Sequence, residues 1–171
     1  MGNPLEHPVP QELLIHIGDI IVSFALLTLN IQLLIGSLIQ EHQRIGQIIT
    51  AELSFKNLRA LAISLYKERH GEDADFTTLR ELMHRADDLE GKRNTVMHST
   101  WAAGDTVDII TRLKTKAKQK HGLVFASEDM GEKELAAIAL DIKTLAAEIQ
   151  GVWLHLMEQG KAINNPLQKT W

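Results

Sequence analysis

From Leu13 to Ile39 the chain is almost continuously apolar, "LLIHIGDIIVSFALLTLNIQLLIGSLI", yet its polar residues are not scattered. His16, Ser23, Asn30 and Ser37, followed by Arg44, recur at every seventh position and trace one narrow seam on a helix that is apolar elsewhere. Such a helix sits at the centre of a bundle, where neighbouring helices or a second subunit cover most of its circumference. The run is also long enough to cross a bilayer, since about 20 apolar residues suffice. Asp19, Asn30 and Gln32 would be costly in hydrocarbon, so the bundle is favoured over the membrane.

The segment 41–50, "EHQRIGQIIT", reads as a linker. A second helix follows from about Ala51 to Arg69, with Leu58, Leu61, Ala62 and Leu65 on one face and His70-Gly71 as its stop. The third begins near Asp75 as N-cap and carries Phe76, Leu79, Leu82, Met83, Ala86, Leu89, Val96 and Met97 at helical spacing, until Gly104 breaks it. The pattern then changes. Along "DTVDIITRLKTKAKQKHGLVFASED" β-branched residues give way to strict alternation of Arg112, Lys114, Lys116, Lys118 and Lys120, with a turn at His121-Gly122. This predicts a β-hairpin or ordered loop over about 104–128 with one basic edge. The last helix opens on Asp129 and Glu132 as a capping box and spaces Leu135, Ile138, Ile142, Leu145, Ile149, Val152 and Leu156 by threes and fours. The prediction is a mainly α protein: a four-helix up-down bundle, core about 11–160, with the basic insertion between the third and fourth main helices. The tail 161–171 is expected to be loose.

Composition bounds what this domain does. The 171 residues suit one domain, and 44% hydrophobic with 23% charged residues describe a folding chain. The absence of cysteine excludes disulfides, thiolate metal sites and cysteine nucleophiles, and fits a cytoplasmic protein. The N-terminus lacks the basic start and cleavage site of a secretory signal, and Gly2 lacks the downstream Ser or Thr of a myristoylation motif. A net charge of −4 argues against nucleic-acid binding by the whole surface, but residues 112–120 hold five of the 18 basic residues and no acid. That stretch is either a phosphate-backbone track or an edge strand guarded by charge. No glycine-rich phosphate loop, serine elbow or metal-ligand spacing among the histidines appears, so no metal and no cofactor is expected.

The chemistry with a stated rationale lies in "LEGKRNTVMHSTW", residues 89–101. An imidazole such as that of His98 can accept the proton of a ribose 2′-hydroxyl near neutral pH, and a guanidinium such as that of Arg93 can hold charge building on phosphate. Asn94 lies on the arc between them, and Trp101 suits packing beneath the site or at a dimer seam. On one helix the i, i+5 spacing turns Arg93 and His98 roughly 140° apart. Two subunits paired along this helix would let each lend a member to a shared cleft. The bland alternative is a surface arginine paired with Asp88 or Glu90.

Arg93-Asn94-Thr95-Val96-Met97-His98 resembles the RNxxxH motif of HEPN-domain proteins, small and often dimeric α-helical bundles. The resemblance implies that Arg93 and His98 are catalytic, that Asn94 supports them, and that the activity is metal-independent RNA cleavage leaving a 2′,3′-cyclic phosphate, in toxin–antitoxin or phage-defence settings. A homodimer, with RNA and an antitoxin protein as partners, would follow. The alternatives are a HEPN-like module that binds RNA, nucleotide or protein without turnover, and a membrane-attached helical protein anchored by the first helix.

Overall fold

The computed structural model describes residues 8–39, 43–118 and 122–162. The protein is mainly helical, with a small antiparallel sheet. Its elements run α1 (Gln11–Ile39), α2 (Gln43–Ala51), α3 (Phe55–His70), α4 (Ala74–Met97), β1 (Thr100–Ala103), β2 (Ile109–Lys118), β3 (Gly122–Gly131) and α5 (Glu132–Glu158). They form two compact units. One comprises the chain up to Val22 with Lys92–Leu140, and the other Ser23–Gly91 with the chain from Asp141 onward.

In the helical unit, α1 contributes Phe24, Leu27, Ile31, Leu34, Ile35 and Leu38 to the core. From α3 come Phe55, Leu58, Ala62 and Tyr66, spaced by three and four. Leu79, Met83 and Ala86 of α4, with Ile142, Leu145 and Ile149 of α5, complete the interior. Phe24 meets Phe55 at a ring separation of 4.6 Å, and Tyr66 meets Phe76 at 6.3 Å. The polar seam of α1 is buried here. Asn30, 6% exposed, donates from Nδ2 to the Ala146 carbonyl at 2.9 Å, and Ser37 donates to the Leu34 carbonyl. Each buried polar group thereby avoids an unmet desolvation cost. A stripe of α1 adjoining the seam is the exposed one: Ile15 is 65%, Val22 70% and Leu26 50% exposed. By length and hydropathy α1 could cross a membrane, although 56% of its most apolar window is buried within the protein.

Several predicted boundaries are corrected. The stretch expected to be a linker holds α2, and the next helix starts at Phe55, not Ala51. Ser54 caps α3 by accepting from the Asn57 backbone N–H. Helix α2 escapes a periodicity reading because the positions it buries are Gly46 and Thr50, whereas Ile45, Ile48 and Ile49 are exposed. Two glycines meet there: a Cβ at Gly46 would lie 2.8 Å from the Gly36 Cα. The cap of α4 is Asp73, not Asp75, since Asp73 Oδ1 accepts from the Phe76 N–H at 2.9 Å. Helix α4 ends at Met97 rather than at Gly104, because residues 100–103 pair with β2 as a strand. Asp129 does not cap α5; it lies in β3, where its carboxylate accepts from the Thr111 hydroxyl at 2.7 Å.

The other unit holds the sheet, in the order β1-β2-β3. Gly104 makes the tight β1–β2 connection, and a Cβ there would lie 2.5 Å from the Ile109 carbonyl oxygen. Ile110 and Met130, opposite one another on β2 and β3, are buried, as are Leu13, Ile20, Val96, Leu135 and Ile138.

Candidate functional site

The end of α4 and the first half of β2 place the site. Trp101, on β1, donates from its indole N–H to the Val96 carbonyl at 3.1 Å, tying the strand back to the last helical turn. Ser99 donates to the Thr95 carbonyl and in turn accepts from Arg112 Nε at 2.6 Å. Thus an arginine on the central strand is fastened to the residue after His98. His98, Ser99, Thr100, Arg112, Leu113, Lys114 and Thr115 line one depression of about 350 Å³.

Two cations there share one carboxylate. Arg112 Nη1 lies 3.2 Å and Lys114 Nζ 2.8 Å from Glu128 Oε2. The hydrogen bond and charge of Lys114, with Arg112 behind them, hold the Glu128 carboxyl below its ordinary range. The strand register explains the triad. Glu128 of β3 stands directly opposite Arg112 and two residues from Ala126, the partner of Lys114, so alternation puts all three on the same face. Lys116 and Lys118 continue that alternation on β2, opposite Val124 and Gly122, while Lys120 lies outside the described residues.

The predicted catalytic group is divided. His98 is exposed and lines the depression together with the half-buried Arg112 and Lys114. Arg93 and Asn94 are not among the lining residues. They are half-buried on α4, where Arg93 Nη1 donates to Asn94 Oδ1 at 2.8 Å. Glu90, the alternative partner considered for Arg93, lies instead 3.4 Å from Arg59. Sequence reasoning missed Ser99 and Glu128. The hairpin register carried the signal for Glu128: pairing Lys118 with Gly122 sets Glu128 opposite Arg112.

A second polar cluster occupies the helical unit. Lys161 Nζ is 2.6 Å from both Asp73 Oδ2 and Asp75 Oδ2 and donates to the Tyr66 hydroxyl at 3.1 Å. His155 Nε2 approaches Asp75 at 3.4 Å. The Lys161 bond and the Phe76 N–H bring the Asp73 carboxyl down to about 2, and burial pushes the Tyr66 phenol up to about 12. The lysine itself titrates above its ordinary range because its two carboxylate partners favour the charged form. The cluster fastens residue 161, and Ala162 beside it is buried. Among the described residues no group of three or more histidines and carboxylates is placed to hold a metal ion.

Comparison with protein-family models, curated proteins and solved structures gives no match to this chain.

Proposed function

We propose that the depression beside His98 binds the phosphate backbone of RNA and that His98 acts there as general base in a metal-independent cleavage. The observation that carries this reading is the lining itself: an exposed imidazole shares one concave surface with Arg112 and Lys114. In the step proposed, His98 takes the proton of a ribose 2′-hydroxyl and the freed oxygen attacks phosphorus. The bond to the 5′-oxygen breaks, and that oxygen takes its proton from water, leaving a 2′,3′-cyclic phosphate. Arg112 and Lys114 supply the positive charge that the pentacoordinate phosphate requires. Arg93 and Asn94, one turn back on α4, serve as positioning residues for the helix end in this scheme.

The scheme also takes α1, α3, α4 and α5 as a four-helix up-down bundle, with the sheet inserted before α5, in keeping with the HEPN resemblance. Cross-helix contacts within one unit support it: Phe24 with Phe55, Arg59 with Asp87, Arg85 with Glu148, and Asn30 with the Ala146 carbonyl.

RNA incubated with wild-type protein and with His98→Ala tests the chemistry. The expected result is cleavage with cyclic-phosphate ends by the wild type and a loss of about 100-fold or more in the variant. Equal rates would eliminate His98 as base. A second reading, binding without turnover, is favoured by the separation of Arg93 from the depression. Wild-type protein that retains RNA but never cuts it would establish that reading.

A further inference from the structure

Among the described residues no strand pairs with the outer edge of β3, and the hydrogen-bond pattern fixes which of its groups face outward. Gly104 N–H donates to the Ile109 carbonyl, so Ile109 turns its backbone toward β1. The Asp108 carbonyl accepts from the Glu132 N–H, so the next parity turns toward β3. Backbone groups in an antiparallel ladder alternate strictly. Ile110, Arg112, Lys114 and Lys116 therefore bond to Met130, Glu128, Ala126 and Val124, and the N–H and C=O groups of Leu123, Phe125, Ser127 and Asp129 point away from the sheet.

The charges on this edge, Glu128 and Asp129, are confined to its C-terminal end. From Gly122 to Ser127 there is no charge and no proline, the two devices that ordinarily stop strands from pairing. Every residue from Val124 to Asp129 is exposed, with Phe125 at 74%.

We propose that the partner of this edge is a second copy of the chain, its β3 lying antiparallel across a twofold axis at Ala126. This register satisfies both parity and charge. Outward-facing residues must bond to outward-facing residues, and an axis at Ala126 pairs Phe125 with the partner's Ser127 and Leu123 with the partner's Asp129, so all four outward residues engage. An axis at Glu128 would set two carboxylates face to face. At Ala126 the acidic end of each strand meets the uncharged start of the other, Glu128 opposite the partner's Val124. The two three-stranded sheets become one of six strands. Because Ala126 pairs with Lys114 in its own sheet and with itself across the axis, the faces bearing Arg112 and Lys114 in both copies lie on the same side. The inference stands whether or not RNA is cut.

Cysteine cross-linking in this cysteine-free chain reads the register directly. Across the axis Ala126 forms a non-hydrogen-bonded pair, whose Cα separation of about 4.5 Å falls within disulfide range. Val124 and its copy would be more than about 12 Å apart. Under mild oxidation Ala126→Cys is expected to form a covalent dimer and Val124→Cys to remain monomeric. Adding Ser127→Pro to Ala126→Cys removes an outward N–H without touching the ladder to β2, and cross-linking should be lost. The unmodified protein should sediment at twice the monomer mass. Cross-linking of Ala126→Cys no faster than of Val124→Cys, or a wild type that is monomeric over its soluble concentration range, overturns the proposal. The contrast between the two cysteine variants decides even if the proline variant fails to fold.

Discussion

Asp73 does two jobs with one carboxylate: it caps α4 through the Phe76 N–H and receives the Lys161 ammonium at 2.6 Å. Both interactions require the charged form, so its folded-state value of about 2 lies below the ordinary 3.8. A depressed carboxyl contributes stability that is complete above the unfolded value and fades as pH falls from about 4 to about 2. Asp73→Asn should therefore melt below wild type at neutral pH, with the gap closing in acid. Thermal scans across that range check it, and a gap that stays constant with pH would mean that the charge is not involved. The cluster was not legible in the sequence, because Lys161 lies 88 residues from Asp73 and no spacing rule links them. The chemistry of His98 was legible, since it is local to the residue, but its place just past a helix end was not, because the apolar spacing carries the helix on to Gly104 whereas α4 ends at Met97. The role given to Arg93 was less so: its side chain is turned to Asn94, a choice of rotamer that no pattern of residue types encodes.

Among the elements, the strongly periodic ones were readable and the atypical ones were not. Helix α5 shows its buried face in every turn, and Leu135, Ile142, Leu145 and Ile149 are all buried. Helix α2 hides its buried face in a glycine and a threonine, because the contact it makes is of backbone on backbone. That contact has a consequence for substitution. Alanine in a helix ordinarily gains about 1 kcal/mol over glycine, and at Gly151, with nothing within 4 Å of a Cβ, Gly151→Ala should raise stability by that order. At Gly46 the same Cβ strikes the Gly36 backbone, and overpacking costs about 1–3 kcal/mol. Gly46→Ala should be destabilised or at best neutral. Denaturant midpoints of the two variants, opposite in direction, test the close approach. Strand β1 was missed for a related reason: TWAA is short and follows a helix without a strong breaker, and only pairing with residues 110–113 makes it a strand.

For the molecule as a whole, the charge distribution matters more than the net charge of −4. The basic alternation of β2 is partly neutralised at the depression, where Glu128 takes both Arg112 and Lys114. A phosphate entering there competes with that carboxylate. Glu128→Gln should bind RNA more tightly than wild type at low salt and show a steeper loss of affinity as salt rises, since each additional phosphate contact adds roughly one unit of logarithmic slope. Unchanged affinity and slope in a filter-binding titration would place the ligand elsewhere. The general plan, long helices followed by a basic hairpin and a closing helix, was readable because apolar periodicity and β-branched alternation are local signals. Which side of α1 faces inward was not, since the interior side carries Ser23, Asn30 and Ser37. The Asn30 amide, bonded to the Ala146 carbonyl, is expected to have a further effect: it would favour one rotational setting of α1 against α5, where leucines alone would fit several nearly as well. Replacing it by leucine is expected to leave the melting temperature unchanged or higher, while amide and methyl resonances broaden as alternative packings interconvert. Engineering that hardens this interior would thus trade conformational singularity for robustness.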